Sequence, residues 1–288
     1  VTVEKVIEKI NNGEFEEAKR HIDTIKNSGL EEDIYVLAEQ LVELGYLEEA
    51  IGLYEQLLAV HPDEGELLLS LAEIYMEIDR EDEALELVQK VKTTDAVYPS
   101  ALLLEADLYT MNGLDEVAYA KLKKAKQLLP DEMLIDFALG EQLYMQGSFM
   151  EAISSYENVL RQAEEVAGIS IHQRIAEAYS NIGQFEEALA HFEKSLQQKT
   201  ELHTLFQYGL TAYQAGHYKT AVDKLEEVKA MDHEYHSLYM YLGGAYEHLN
   251  DLEKAYGTLQ EGIKVDEFNK EQFLKAGKLA LKLKDPEA

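Results

Sequence analysis

Five carboxylates return at one register of the chain: Glu39, Glu73, Asp107, Glu141 and Glu177 stand 34, 34, 34 and 36 residues apart. Acids repeated at so regular an interval attract cations; they do not pair up to make and break bonds. Four residues before an acid or three after it, on the same side of a helix, stand apolar and aromatic residues: Tyr35, Leu69, Leu103, Phe137 and Tyr144. Where the acids stop, at Leu210 and Gly244, the stripe continues as Phe206, Tyr213 and Met240. Such a surface would receive a segment carrying Lys or Arg together with apolar anchors.

Catalytic chemistry has little to stand on. No GxxxxGK, GxGxxG, GxSxG or HExxH occurs, which leaves no phosphate loop, dinucleotide turn, nucleophile elbow or zinc-protease pair. The chain has no cysteine, so disulfides, thiolate nucleophiles and Cys-based metal sites are excluded. His233 and His236 come closest to a ligand pair, without a third ligand in view, and are expected to be an ordinary polar turn. Carboxylate pairs are too frequent in this chain to signal acid–base catalysis. The expectation is a non-enzyme with no cofactor and no metal.

Charge narrows the partners. Twenty-six basic residues face 56 acidic ones, a formal −30, which repels phosphate and argues against nucleic acid. The imbalance is uneven, with a net −17 over residues 1–100 and −1 over 251–288. No apolar run nears the roughly 18 residues of a membrane helix, and no charged-then-apolar leader opens the chain. A soluble, cytoplasmic protein is expected.

The elements that must position these residues follow from turns at Gly13, Gly45, Asp79, Gly113, Gly147, Gly183, Gly216 and Asn250, spaced by 32 to 36 residues. Asp and Asn are the best stand-ins for glycine in a left-handed turn. Seven residues before each turn from the second onward is a small residue, in order Ala38, Ala72, Ala106, Gly140, Ala176, Gly209 and Gly243. Five after every turn is alanine, from Ala18 to Ala255. Helices approach closely only where side chains are short, so each unit reads as two antiparallel helices pressed together. The aromatic residues around this contact, Tyr54, Tyr75, Tyr109, Tyr156, Tyr179, Phe192 and Tyr246, place most of the 18 tyrosines in the core. Pro62, Pro99 and Pro130 mark the ends of second helices.

The order small residue, aromatic, turn glycine, aromatic, alanine, aromatic, proline resembles the tetratricopeptide repeat, whose period is 34 residues. The resemblance covers nearly the whole chain, although Glu81 and Asp115 replace the aromatic after the turn and the last four repeats lack the proline. It implies an all-α, right-handed α-solenoid of about eight helix-turn-helix repeats at about 1–30, 31–64, 65–98, 99–132, 133–168, 169–201, 202–235 and 236–269. At 270–284, Phe273, Ala276, Gly277 and Ala280 copy the first helix of a ninth repeat, which serves as a cap or continues into more chain. Two extra residues around Ala167–Gly168 mark a break or hinge.

The resemblance further implies that first helices line a concave groove for peptides or partner helices. In the first helices of repeats two to eight, Arg174 is the only basic residue, so the acid row is expected to lack internal salt bridges. The same scarcity of Lys, Arg and Asn disfavours the family's mode of gripping a C-terminal carboxylate. The leading expectation is a scaffold or adaptor for a basic and apolar segment. Two others stand beside it: self-association, with the lysine-rich 270–284 docking in a neighbour's groove, and a peptide sensor hinged at Gly168.

Overall fold

The computed structural model describes residues 2–284. Contacts divide the chain into two compact units, parted between Ile135 and Asp136.

The N-terminal unit holds four helix pairs. These are α1 (Val3–Asn11) with α2 (Phe15–Ser28), α3 (Glu31–Glu43) with α4 (Leu47–Val60), α5 (Gly65–Glu77) with α6 (Glu81–Val88), and α7 (Tyr98–Met111) with α8 (Asp115–Leu128). Helix α9 (Met133–Met145) carries the boundary. The C-terminal unit continues with α10 (Phe149–Leu160), α11 (Ile171–Asn181), α12 (Phe185–Gln198), α13 (Leu202–Gln214), α14 (Tyr218–Met231), α15 (Leu238–His248), α16 (Leu252–Val265) and α17 (Lys270–Lys284). In both units helices pack as hairpins: α1 on α2, α3 on α4, α5 on α6 and α7 on α8 in the first, and α11 on α12, α13 on α14 and α15 on α16 in the second.

All eight predicted turn residues have positive φ, from 58° at Asp79 to 80° at Gly216. The reason shows at Gly45, whose N–H donates to the Val42 carbonyl at 2.9 Å while the Tyr46 N–H reaches back to Leu41 at 2.8 Å. These two bonds satisfy carbonyls that the end of α3 would otherwise leave bare, and they require a left-handed residue at the turn. The second helices then open on acids, such as Glu48 and Glu49 in α4 and Glu186 and Glu187 in α12, which complement the helix dipole.

Within a hairpin the small residue seven before the turn receives a large one sixteen residues later. A Cβ placed on Gly140 would lie 2.5 Å from the Tyr156 ring, and one on Gly209 or Gly243 would lie 2.8 or 2.9 Å from Leu225 or Leu259. These glycines therefore set the approach of the helices, and the packing density of a protein interior leaves no room for more.

Three expectations need correction. Only five of the 18 tyrosines are buried, and the other 13 are half-buried with none exposed, because the hydroxyl end reaches water while the ring packs. Pro99 does not end a second helix: α6 stops at Val88, and Pro99 lies in the first turn of α7, where its missing N–H costs nothing. The two-residue insertion is built structure. Strands β1 (Glu165–Val166) and β2 (Ile169–Ser170) pair antiparallel across Ala167 and Gly168, with φ of 49° and 80°, the geometry of a two-residue hairpin turn.

Candidate functional site

In the N-terminal unit the repeat places Glu39 on α3, Glu73 on α5 and Asp107 on α7, and α5 packs on α7. Burial first, and then the Glu39 carboxylate, push the Tyr35 phenol up to about 12. Burial first, with the charges of both Glu39 and Glu73 adding to it, raises the Tyr54 phenol, so these two acids share one neighbourhood. Glu73 and Asp107 remain open to solvent at the surface, yet enough protein surrounds their carboxyls that desolvation raises both pKa values. Among the described residues no basic side chain forms an ion pair with Glu39, Glu73 or Asp107. Half-buried Leu103, Val42 and Met76 lie beside them.

The C-terminal unit treats its two acids differently. Arg174 on α11 brings Nη1 to 3.1 Å from Glu177 and Nε to 2.9 Å from Glu141 on α9. The Nε approach is an ion pair whose angle is not that of a hydrogen bond. Burial works against the Arg174 charge, but the two carboxylates outweigh it and hold the guanidinium above its usual pKa. Tyr156 donates to Glu141 at 2.6 Å and Gln173 to Glu177 at 2.8 Å. The expectation that the whole row lacks internal partners is therefore overturned for Glu141 and Glu177. A single arginine, three residues from one acid on its own helix and facing the other from the next first helix, serves both.

Beside this pair is a cavity of about 420 Å³, lined by Tyr144, Arg174, Glu177, Ser180, Asn181, His203, Gln207, Leu210 and Gln214. Asn181 donates to the Tyr144 hydroxyl at 2.9 Å and to the Glu177 carbonyl at 2.8 Å. Ser180 meets Thr211 at 2.9 Å, and His203 Nε2 lies 3.9 Å from Glu177. Gln207 and Gln214 repeat the registers of Arg174 and Asn181 one turn-to-turn interval later. That repetition is readable in the sequence.

The apolar stripe divides as well. Leu69 and Phe206 are 8 % and 6 % exposed and belong to the cores of their units, which corrects their expected role as anchors. Phe137 leans on Tyr156 at 6.3 Å, Tyr144 on Phe149 at 5.2 Å, and Tyr213 stands between Tyr218 and Tyr241 at 5.7 Å from each. These three, with Tyr35, Leu103 and Met240, keep part of their surface open.

Two pairs escaped the sequence reading. Lys121 on α8 reaches both oxygens of the 4 %-exposed Glu105 on α7 at 2.8 and 2.9 Å. The imidazoles of His172 on α11 and His191 on α12 meet Nδ1 to Nδ1 at 3.0 Å. Their signal was a polar residue at registers that are apolar in most repeats: Leu37, Leu71 and Leu139 match Glu105, and Ile34, Leu68 and Leu102 match His172. The His233 backbone carbonyl accepts from the Tyr239 hydroxyl, and His236 Nδ1 lies 3.2 Å from the Ser237 hydroxyl. At the chain end Lys282 and Lys275 lie 2.8 and 3.9 Å from Glu247, and Ala276 and Leu279 are buried, so α17 covers its own unit with part of the surface expected to dock elsewhere. Among the described residues no helix is long and apolar enough to cross a membrane.

Comparison with known proteins agrees with this geometry. Residues 110–164 match a family described as YpiA-like, tetratricopeptide repeats, and residues 41–108, 169–200 and 206–264 match three further tetratricopeptide-repeat families. The TPR repeat-containing protein YpiA of Bacillus subtilis is 40 % identical over 98 % of this chain, which spans 66 % of that relative's length. Among solved structures, the C-terminal part of a TPR repeat-containing protein from Cytophaga hutchinsonii is similar at a TM-score of 0.68 and 19 % identity, covering 84 % of this chain and 98 % of that one. YrrB, described as a TPR protein with an unusual peptide-binding site, is similar at a TM-score of 0.55 and 20 % identity, over 71 % of this chain and 97 % of that one.

Proposed function

This chain belongs to the tetratricopeptide-repeat proteins, and from that premise we propose that it is a non-enzymatic adaptor whose N-terminal unit seats a partner segment bearing Lys or Arg and apolar side chains. One observation carries the reading: Glu39, Glu73 and Asp107 stand at one register with no ion pair among the described residues, and two of them are partly desolvated. Unneutralised acids short of water gain more from an incoming ammonium or guanidinium than fully solvated ones do. Tyr35, Leu103 and Met76, half-buried beside them, are the contacts for the apolar side chains. YrrB's described peptide site supports recognition of a peptide by such helices.

Glu73→Lys with Asp107→Lys tests the reading directly. A labelled peptide of alternating Lys and Leu, titrated at low salt, should bind the double variant at least about tenfold more weakly, equivalent to ~1.4 kcal/mol. Helical content and melting should change little, since both carboxyls are solvent-facing. Equal capture of the peptide by both proteins would end the electrostatic argument. The pH dependence has a fixed sign. Only the ionised acids attract the peptide, and desolvation has raised their pKa values. Affinity should therefore fall as pH is lowered through a window opening above the ordinary ~3.9 of Asp and ~4.3 of Glu.

A further inference from the structure

In the C-terminal unit, the cavity walled by α11 and α13 is unlike the usual ligand pocket. Its volume of about 420 Å³ is that of a small-ligand site, but such sites are mostly apolar. Among the described residues this wall has a single aliphatic side chain, Leu210. The rest offers donors and acceptors. The side-chain amides of Gln207 and Gln214 form no hydrogen bond among the described residues, so each keeps two donors and an acceptor. Asn181 spends its N–H groups on the Tyr144 hydroxyl and the Glu177 carbonyl and keeps its own side-chain oxygen. Tyr144 accepts from Asn181 and keeps its hydroxyl hydrogen to give.

Neither kind of charge finds a free counterpart here. The Glu177 oxygens accept from Gln173 at 2.8 Å and from Arg174 at 3.1 Å, and Arg174 also faces Glu141 at 2.9 Å. An ammonium entering the cavity would meet Arg174 beside carboxylates already engaged, and a carboxylate would meet Glu177 beside an arginine already held by two acids. Either would lose water without gaining an unshared partner. A neutral group with both a donor and an acceptor loses less on leaving water and matches what the wall leaves open. The two free amides also set a length. Seven residues apart on α13, they share one face and stand about 10 Å apart along its axis, the span of about three residues of an extended chain.

We propose that this cavity is a separate subsite for an uncharged polar stretch of a partner polypeptide, whose Asn or Gln side chains bond Gln207 and Gln214, and that Arg174 sets its selectivity. By holding Glu141 and Glu177, Arg174 withdraws them from the acid row and keeps them from attracting Lys or Arg. The proposal rests on the reading that first helices of this chain seat a polypeptide, and it gives the two units different preferences. The acids of repeats two to four attract cations, whereas the same register in repeats five and six borders a neutral site that rejects both signs of charge.

The probes are two short labelled peptides of alternating residues, Ser–Gln and Ser–Lys, titrated into the full chain carrying Glu73→Lys with Asp107→Lys, which removes the acid row as a competitor. Saturable binding of Ser–Gln is expected, at least about tenfold tighter than Ser–Lys, and weakened at least about tenfold by Gln207→Met with Gln214→Met, ~1.4 kcal/mol in each case. Methionine keeps the length of glutamine without its hydrogen bonds. Gln214 is exposed and Gln207 half-buried, so the melting temperature should hold, which separates lost binding from lost folding. Arg174→Gln removes the charge between the two acids and should reverse the order, with Ser–Lys at least about tenfold the tighter, while Arg174→Lys should keep the parent's order. An arginine with a merely structural role would weaken both peptides alike. Absence of saturable Ser–Gln binding overturns the proposal, and so does binding that the methionine pair leaves unchanged. A folded Arg174→Gln protein that keeps the parent's order overturns it equally; if that variant does not fold, the methionine pair decides. The acid-row reading fails on a different measurement, capture of the Lys–Leu peptide, in which Gln207 and Gln214 take no part.

Discussion

His172 and His191 face each other through their Nδ1 atoms at 3.0 Å, and only one of the two can carry the hydrogen between them. Burial, each other's proximity and the charge of Lys194 push His191 down to about 4, while burial and Lys194 lower His172 against a weak pull from Glu164. The Tyr179 ring closes the other side of His191 at 5.8 Å. The native state thus refuses protons that the unfolded chain accepts below the ordinary histidine value of ~6.5. Stability contributed here is complete above that value and is lost as pH falls from it towards 4. Replacing His172 by Phe and His191 by Leu should flatten the fall in unfolding free energy between pH 7 and 4.5, read from urea titrations, by on the order of 1–2 kcal/mol, discounted because His191 is half-open to solvent. An equally steep fall in the variant would refute the assignment. The register of these residues was legible, since 172 falls where most repeats bury an apolar side chain. That a second histidine nineteen residues on would meet it was not, because the meeting depends on ring orientation across two helices.

The helix pairs were readable because one interval of 34 residues repeats the same demands: a left-handed turn, a short side chain and a large one sixteen residues on. Departures came where a local solution replaced the repeated one. Ala167 and Gly168 close a hairpin instead of leaving a break, and α6 stops after eight residues. The pairing of α7 with α8 shows how a repeat absorbs a polar substitution. Glu105 and Lys121 are sixteen apart, the spacing that joins Leu37 to Leu53 in α3 and α4. An ion pair has replaced an apolar contact, with Glu105 4 % exposed and both its oxygens held by Lys121. Removing one partner strands a buried charge. Lys121→Met should destabilise the chain by about 2–3 kcal/mol, less than a wholly enclosed pair would lose because the lysine keeps some water. The double variant Glu105→Leu, Lys121→Met should recover most of that loss. Chemical denaturation of the three proteins measures both, and a single variant as stable as the parent would show that Glu105 is not held by charge.

Across the molecule, 56 acids against 26 bases leave 30 negative charges unbalanced, and this total was legible where the individual pairings were not. Arg174 illustrates the difference: counting identified it as the only Lys or Arg in the first helices of repeats two to eight, but only the geometry showed it serving two acids. Two effects of salt then compete. Screening weakens surface ion pairs such as Lys92 with Asp63 and Arg80 with Glu83, each worth about 0–1 kcal/mol. It also relieves repulsion among the unpaired acids, which are more numerous and act at longer range. Raising ionic strength from ~0.01 to ~0.15 M shortens the screening length from about 30 to about 8 Å, which cuts the long-range repulsion more than contacts under 4 Å. The melting temperature should therefore rise over this range by a few degrees, while capture of the Lys–Leu peptide falls. In Glu73→Lys with Asp107→Lys, four charges closer to neutrality, both responses should be smaller. A melting temperature that drops with salt would mean that paired charges outweigh unpaired ones, and the acid row would then have no surplus attraction to offer a partner.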